Sequence, residues 1–91
     1  MDLSQYLKQK RLASGLSQGE VAKKLGYTSP QFISNWERGV SDPPVEVLKQ
    51  LCELYNINPD ELFERVLQDA ISDLTDKLHK EIHGKKAARA K

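Results

Sequence analysis

The sequence has one cysteine, Cys52, among 91 residues, so no intrachain disulfide can form and a reducing compartment is the economical expectation. Long hydrophobic runs are missing too. No apolar run exceeds three residues, against the roughly 20 needed to span a bilayer. The N-terminus also lacks the basic-then-apolar pattern of a secretory signal, so a soluble, cytoplasmic protein with no membrane association is expected. Neither charge sign is in excess: 14 Lys and Arg against 13 Asp and Glu leave +1, which argues against a strong overall basic footprint. A chain of this length holds one small domain with an appendage and excludes a two-domain enzyme.

The near-zero sum hides an asymmetry. Residues 1–58 carry seven basic and six acidic side chains, giving +1. Residues 59–76 set Arg65 against Asp60, Glu61, Glu64, Asp69, Asp73 and Asp76, giving −5, and residues 77–91 set six bases against Glu81, giving +5. Residues 84–91 contain no large apolar side chain and read as a basic, disordered tail.

Glycine and proline divide the rest into segments whose apolar residues recur at helical spacing, and no stretch sustains strand alternation. The expected fold class is all-α, with five helices. Asp2 and Gln5 resemble a capping box opening a helix over about 2–14, with Leu3, Tyr6, Leu7 and Leu12 inward. Ser17-Gln18-Gly19-Glu20 is a second box, and Gly26 stops that helix. Ser29-Pro30 reads as N-cap and first helical residue of a third helix, 30–38, closed by Gly39. Asp42-Pro43-Pro44 opens a fourth, with Val47, Leu48, Leu51, Cys52 and Tyr55 on its apolar face. Asn58-Pro59-Asp60-Glu61 opens a fifth with another Asx-x-x-Glu box, uninterrupted to His83.

Two short, well-capped helices joined through Gly26-Tyr27-Thr28 have the sequence form of a helix-turn-helix. Residues 16–63, together with Arg11, resemble the lambda-repressor/Cro-type (XRE-like) helix-turn-helix family. The resemblance rests on Leu16-Ser17-Gln18, Val21-Ala22, Leu25-Gly26, Ile33-Ser34, Trp36-Glu37-Arg38-Gly39, Pro43-Pro44 and Asn58-Pro59-Asp60-Glu61-Leu62-Phe63. One departure is that the link between helices 2 and 3 is a residue longer than the commonest family form, which bears on where helix 3 begins. The resemblance implies a five-helix DNA-binding domain over 1–66, a sequence-specific transcriptional regulator of repressor type, double-stranded DNA as partner, and neither catalysis nor cofactor nor metal.

On the third helix Ile33 and Trp36 face inward, with Phe32 flanking them. By subtraction Gln31, Ser34, Asn35 and Arg38, at i, i+3, i+4 and i+7, form a polar stripe able to lie in a major groove. Taken alone such a stripe is an ordinary solvated face; its neighbours make it a reading head. Ser29, at the head of that helix, is counted with them. Gln18 matches the family's phosphate-binding glutamine at a helix N-terminus, and Arg11 with Glu37 matches a structural ion pair. Lys8, Lys23 and Lys24 are scattered solvation, Ser17 a cap, and Cys52 small-volume core.

Beyond residue 66 the fifth helix continues with Leu67, Ile71, Leu74 and Leu78 at spacings of 4, 3 and 4, the rhythm of a coiled coil. Residues 67–83 are therefore expected to form a homodimer or higher homo-oligomer, and the acidic and basic halves would attract each other in an antiparallel pair. His79 and His83 stand four apart on this helix, but no second pair of metal ligands accompanies them. A different reading is an antitoxin, whose helix-turn-helix represses its own operon while another surface holds a toxin protein. A membrane-surface role for helix 5 is disfavoured by its acidic first half.

Overall fold

The computed structural model describes the backbone of residues 2–89 and the side chains of residues 2–83. Among the described residues there are five helices and no strand: α1 (Leu3–Ala13), α2 (Gln18–Leu25), α3 (Gln31–Glu37), α4 (Val45–Leu54) and α5 (Pro59–Arg89). The all-α expectation holds. None of these helices is long and apolar enough to cross a membrane.

Local chemistry accounts for most boundaries. Asp2 caps α1 by accepting from the Gln5 backbone N–H. The Ser17/Glu20 box closes in both directions, each hydrogen bond 3.0 Å long, and Gly26 ends α2 at φ +86°, a left-handed conformation that glycine adopts without steric cost. α3 begins at Gln31, one residue later than expected. Pro30 occupies the cap position because it has no N–H to contribute, while Ser29 Oγ accepts from the Gln31 N–H at 3.2 Å. Asn58 likewise caps α5 by accepting from Asp60 N–H at 2.8 Å.

The core is drawn from all five helices, with Leu7, Val21, Ile33 and Leu51 most deeply enclosed and Trp36, Tyr55, Ile57 and Leu62 around them. Leu12 does not join it and is 58% exposed. The reason is helical phase: at 100° per residue Leu12 lies half a turn from Leu3, and Arg11 takes the inward position one turn after Leu7.

Helix α5 is held against α1 by polar contacts. The carboxylate of Glu61 accepts from the Tyr6 hydroxyl at 2.8 Å and pairs with Lys10 at 3.4 Å. The second half of the expected Asn58/Glu61 box is therefore given up for a bond between helices. The buried Tyr6 ring also lies under Lys10 and Arg65, at 5.5 and 5.6 Å from its centroid. Further along, Asp69 accepts from the backbone N–H of Leu3, a free donor of the first turn of α1. Contact with the domain thus runs three residues past the expected boundary at 66. The backbone of α5 is helical through Arg89, past the His83 expected from the sequence. For the expected tail over 84–91, the side chains and the last two residues lie outside the described ones.

These contacts give stability a pH dependence of definite sign. The Gln5 N–H holds Asp2, and the Tyr6 hydroxyl, aided by Lys10, holds Glu61, below the usual carboxylate range. Burial first, then Glu61, pushes the Tyr6 hydroxyl above its ordinary value, as burial does for Tyr55. Depressed carboxylates contribute stability that is present above about pH 4.5 and lost as pH falls; raised tyrosines contribute stability that is present below about pH 10 and lost as pH rises. Thermal unfolding should show a plateau between these limits with a fall on both sides. Tyr6→Phe should lower Tm by roughly 5 °C at neutral pH and reduce the acid-side slope.

Candidate nucleic-acid interface

The interface is organised by a charge that never reaches its surface. Arg11, 7% exposed, forks onto Glu37: Nε donates to Oε2 at 2.7 Å and a terminal nitrogen donates to Oε1 at 3.0 Å. Its other terminal nitrogen donates to the Leu16 carbonyl at 2.9 Å. The Glu37 carboxylate, by hydrogen bond and charge, raises the Arg11 pKa beyond its ordinary value, so the guanidinium stays charged. One guanidinium thereby ties α1, the α1–α2 turn and the last turn of α3 into a single frame.

Gln18 completes this cluster. It is the first residue of α2 and half-buried, and its side-chain amide donates to Glu37 Oε1 at 3.0 Å. A glutamine amide has a second N–H, and the first N–H groups of a helix have no partner within it. The position expected of a phosphate contact is therefore also a structural one, which the sequence reading did not foresee. Glu37, which would repel DNA if exposed, has its charge balanced by Arg11 beneath the surface.

The α3 stripe lies outward, opposite Ile33 and Trp36, which are 1% and 4% exposed. Three of its members form one hydrogen-bonded unit: Asn35 Oδ1 accepts from Gln31 Nε2 at 2.9 Å and from an Arg38 terminal nitrogen at 2.7 Å. Arg38 sits on the C-cap residue, still in right-handed helical conformation, so it keeps the phase of the stripe. Ser34 is half-buried at the margin. Ser29 stands exposed ahead of the helix, its hydroxyl engaged with the Gln31 N–H. Glutamine, asparagine and arginine in this arrangement offer the donors and acceptors that match adenine and guanine edges in a major groove.

Phe32 flanks Ile33 and Trp36, as its place beside them predicts. It does not close the core but is 50% exposed, stacked on Tyr27 with ring centroids 4.8 Å apart, while Tyr27 packs edge-on to Trp36 at 5.8 Å. Cys52 is half-buried against the core, and burial raises its thiol pKa. His79 and His83 have ring centroids 4.0 Å apart, and among the described residues no group of three or more His, Cys, Asp and Glu is placed to hold a metal ion.

A helix-turn-helix family model matches residues 7–62, from the middle of α1 to the first turn of α5. The chain belongs to the XRE-type helix-turn-helix family. The matched span includes Arg11, Gln18, Glu37 and the whole α3 stripe. The HTH-type transcriptional regulator ImmR of Bacillus subtilis (strain 168) is 36% identical over 90 residues, which cover 84% of this chain and 70% of ImmR. The HTH-type transcriptional activator BcrR of Enterococcus faecalis is 36% identical over 62 residues, which cover 68% of this chain but 30% of BcrR. No solved structure matches the chain. Family membership makes this a DNA-binding helix-turn-helix regulator.

The buried pair should be sensitive to loss of either half. Glu37→Ala leaves the Arg11 charge enclosed without its counter-ion, and urea denaturation should show a loss of about 3–5 kcal/mol. A loss below about 1 kcal/mol would mean that the guanidinium finds water or another acceptor.

Proposed function

We propose that this XRE-type chain is a sequence-specific repressor that reads the major groove with α3 and binds its operator as a homodimer or higher homo-oligomer. The observation that carries the reading is the outward unit of Gln31, Asn35 and Arg38, held in order by its own hydrogen bonds on the third helix of a helix-turn-helix. Side chains ordered before binding lose less entropy on meeting a base. Gln18 and the N-terminus of α2 serve as the phosphate clamp, Ser29 and Ser34 contact DNA at the edges of the stripe, and Arg38 grips guanine or phosphate. Repression by occupying the operator needs no surface beyond these, whereas activation needs one directed at the transcription machinery.

Association runs through the exposed stripe of α5, Leu67, Ile71, Leu74 and Leu78. Two copies would present two α3 helices to half-sites separated by about one turn, roughly 34 Å, or a multiple of it. With a net charge of +1, sequence-independent attraction to phosphates is small, so affinity depends on direct contacts and on dimerisation.

Selection on random DNA followed by quantitative binding tests the assignment. Gln31→Ala and Asn35→Ala should each weaken the selected site by roughly 1–3 kcal/mol and relax preference at one position while leaving the fold intact. Unchanged footprints in both variants would sink the assignment of α3. A promoter-reporter assay decides the direction of regulation: expression should rise when the gene is deleted, and a fall would replace repression with activation.

A further inference from the structure

Helix α5 has two faces that cannot serve the same partner. The side chains that meet the domain, Glu61, Leu62, Arg65 and Asp69, define one side. At 100° per residue the apolar stripe lies on the other side, nearly half a turn away. It is longer than the three leucines and one isoleucine of the coiled-coil rhythm suggest. Phe63 and Ile82 extend it at both ends, and its six members are 41–67% exposed. The domain already occupies the opposite face of the same rigid helix, so the stripe cannot fold back onto it.

The spacing of those six residues identifies the partner. Phe63, Leu67, Ile71, Leu74, Leu78 and Ile82 are separated by 4, 4, 3, 4 and 4 residues, a series that reads the same in both directions. A helix with that pattern matches a second copy of itself turned end for end. We infer that α5 of two copies pairs antiparallel about a two-fold axis level with Ser72 and Asp73, joining Ile71 to Leu74, Leu67 to Leu78 and Phe63 to Ile82 of the other copy. The inference rests on the proposed homo-oligomer and adds its orientation and register.

Charge and area agree with this register. Residues 60–68 carry three acids and one base, −2, and residues 77–85, which they face, carry three bases and one acid, +2. Parallel pairing would set −2 on −2 and +2 on +2. The six apolar side chains expose on the order of 600 Å² per copy, and covering them in both copies reaches roughly the 1,200 Å² at which stable, specific interfaces begin. Phe63, beside Val45, Leu48 and Cys52 of α4, brings the partner's distal α5 close to that side of the domain.

Cysteine cross-linking in the full chain tests the register, with Cys52→Ser as background. Leu67→Cys combined with Leu78→Cys should convert most of the protein to a disulfide-linked dimer under mild oxidation, whereas Leu78→Cys alone should not cross-link. The two positions on one helix are about 16 Å apart, too far for an internal bridge. Light scattering on the unsubstituted chain should give twice the monomer mass, falling toward the monomer as salt is raised. Cross-linking of the single variant would overturn the antiparallel register while keeping the dimer. A dimer that cross-links in neither variant would also overturn it. A monomeric mass at all concentrations would remove the homo-oligomer reading itself, without touching the DNA-binding assignment.

Discussion

The geometry of the helix-turn-helix depends on a buried guanidinium. Arg11 has three of its donors satisfied, two by Glu37 and one by the Leu16 carbonyl, and Glu37 in turn accepts from Gln18. Enclosing a charge pair is not in itself a large source of stability, because desolvation offsets most of the attraction. What it supplies is directional. Hydrophobic contacts among Leu7, Val21, Ile33 and Trp36 would tolerate small rotations of α3, whereas a two-point fork from α1 fixes both the rotation and the advance of that helix. The same carboxylate holds the first side chain of α2, so the residue expected to meet phosphate and the helix expected to meet bases share one anchor.

A second constraint is that polar bonds to α1 hold the start of α5. Glu61 leaves the cap of its own helix and joins Tyr6, and Asp69 reaches across to the first N–H of α1. Both choices orient α5 by its polar side. The apolar stripe is thereby fixed on the outer side, away from the core. An amphipathic helix ordinarily turns its apolar face inward; here Leu62 and Val66 serve the core and the longer apolar row faces solvent.

The elements that could be read from the sequence were those governed by neighbours along the chain. Asp2, the Ser17/Glu20 box, Gly26 and Asn58 set helix ends through interactions over two to five residues, and the pairing of Arg11 with Glu37 followed from the family resemblance. The failures share a different cause. The destination of Glu61 is decided by Tyr6, 55 residues away, and nothing local distinguishes a capping glutamate from one claimed by another helix. Leu12 was displaced by an inward arginine, a choice that periodicity of apolar residues alone does not register. Pro30 shifted the start of α3 by one residue, which is within the ordinary spread of helix boundaries and left the i, i+3, i+4 and i+7 relation of the stripe unchanged.

The net charge of +1 gains meaning from this arrangement. The acidic and basic halves of α5 cancel in the sum, and the domain itself is close to neutral, with its most enclosed charges, Arg11 and Glu37, cancelling each other. A strongly basic reader binds any duplex and then discriminates; a nearly neutral one gains little from phosphates alone. On the proposed reading its affinity comes from base contacts and from joining two heads on one site. The polar unit on α3 and the uncovered row on α5 are then parts of a single requirement, because a weakly attracted head is effective only when a second head is tethered to it at a matching distance.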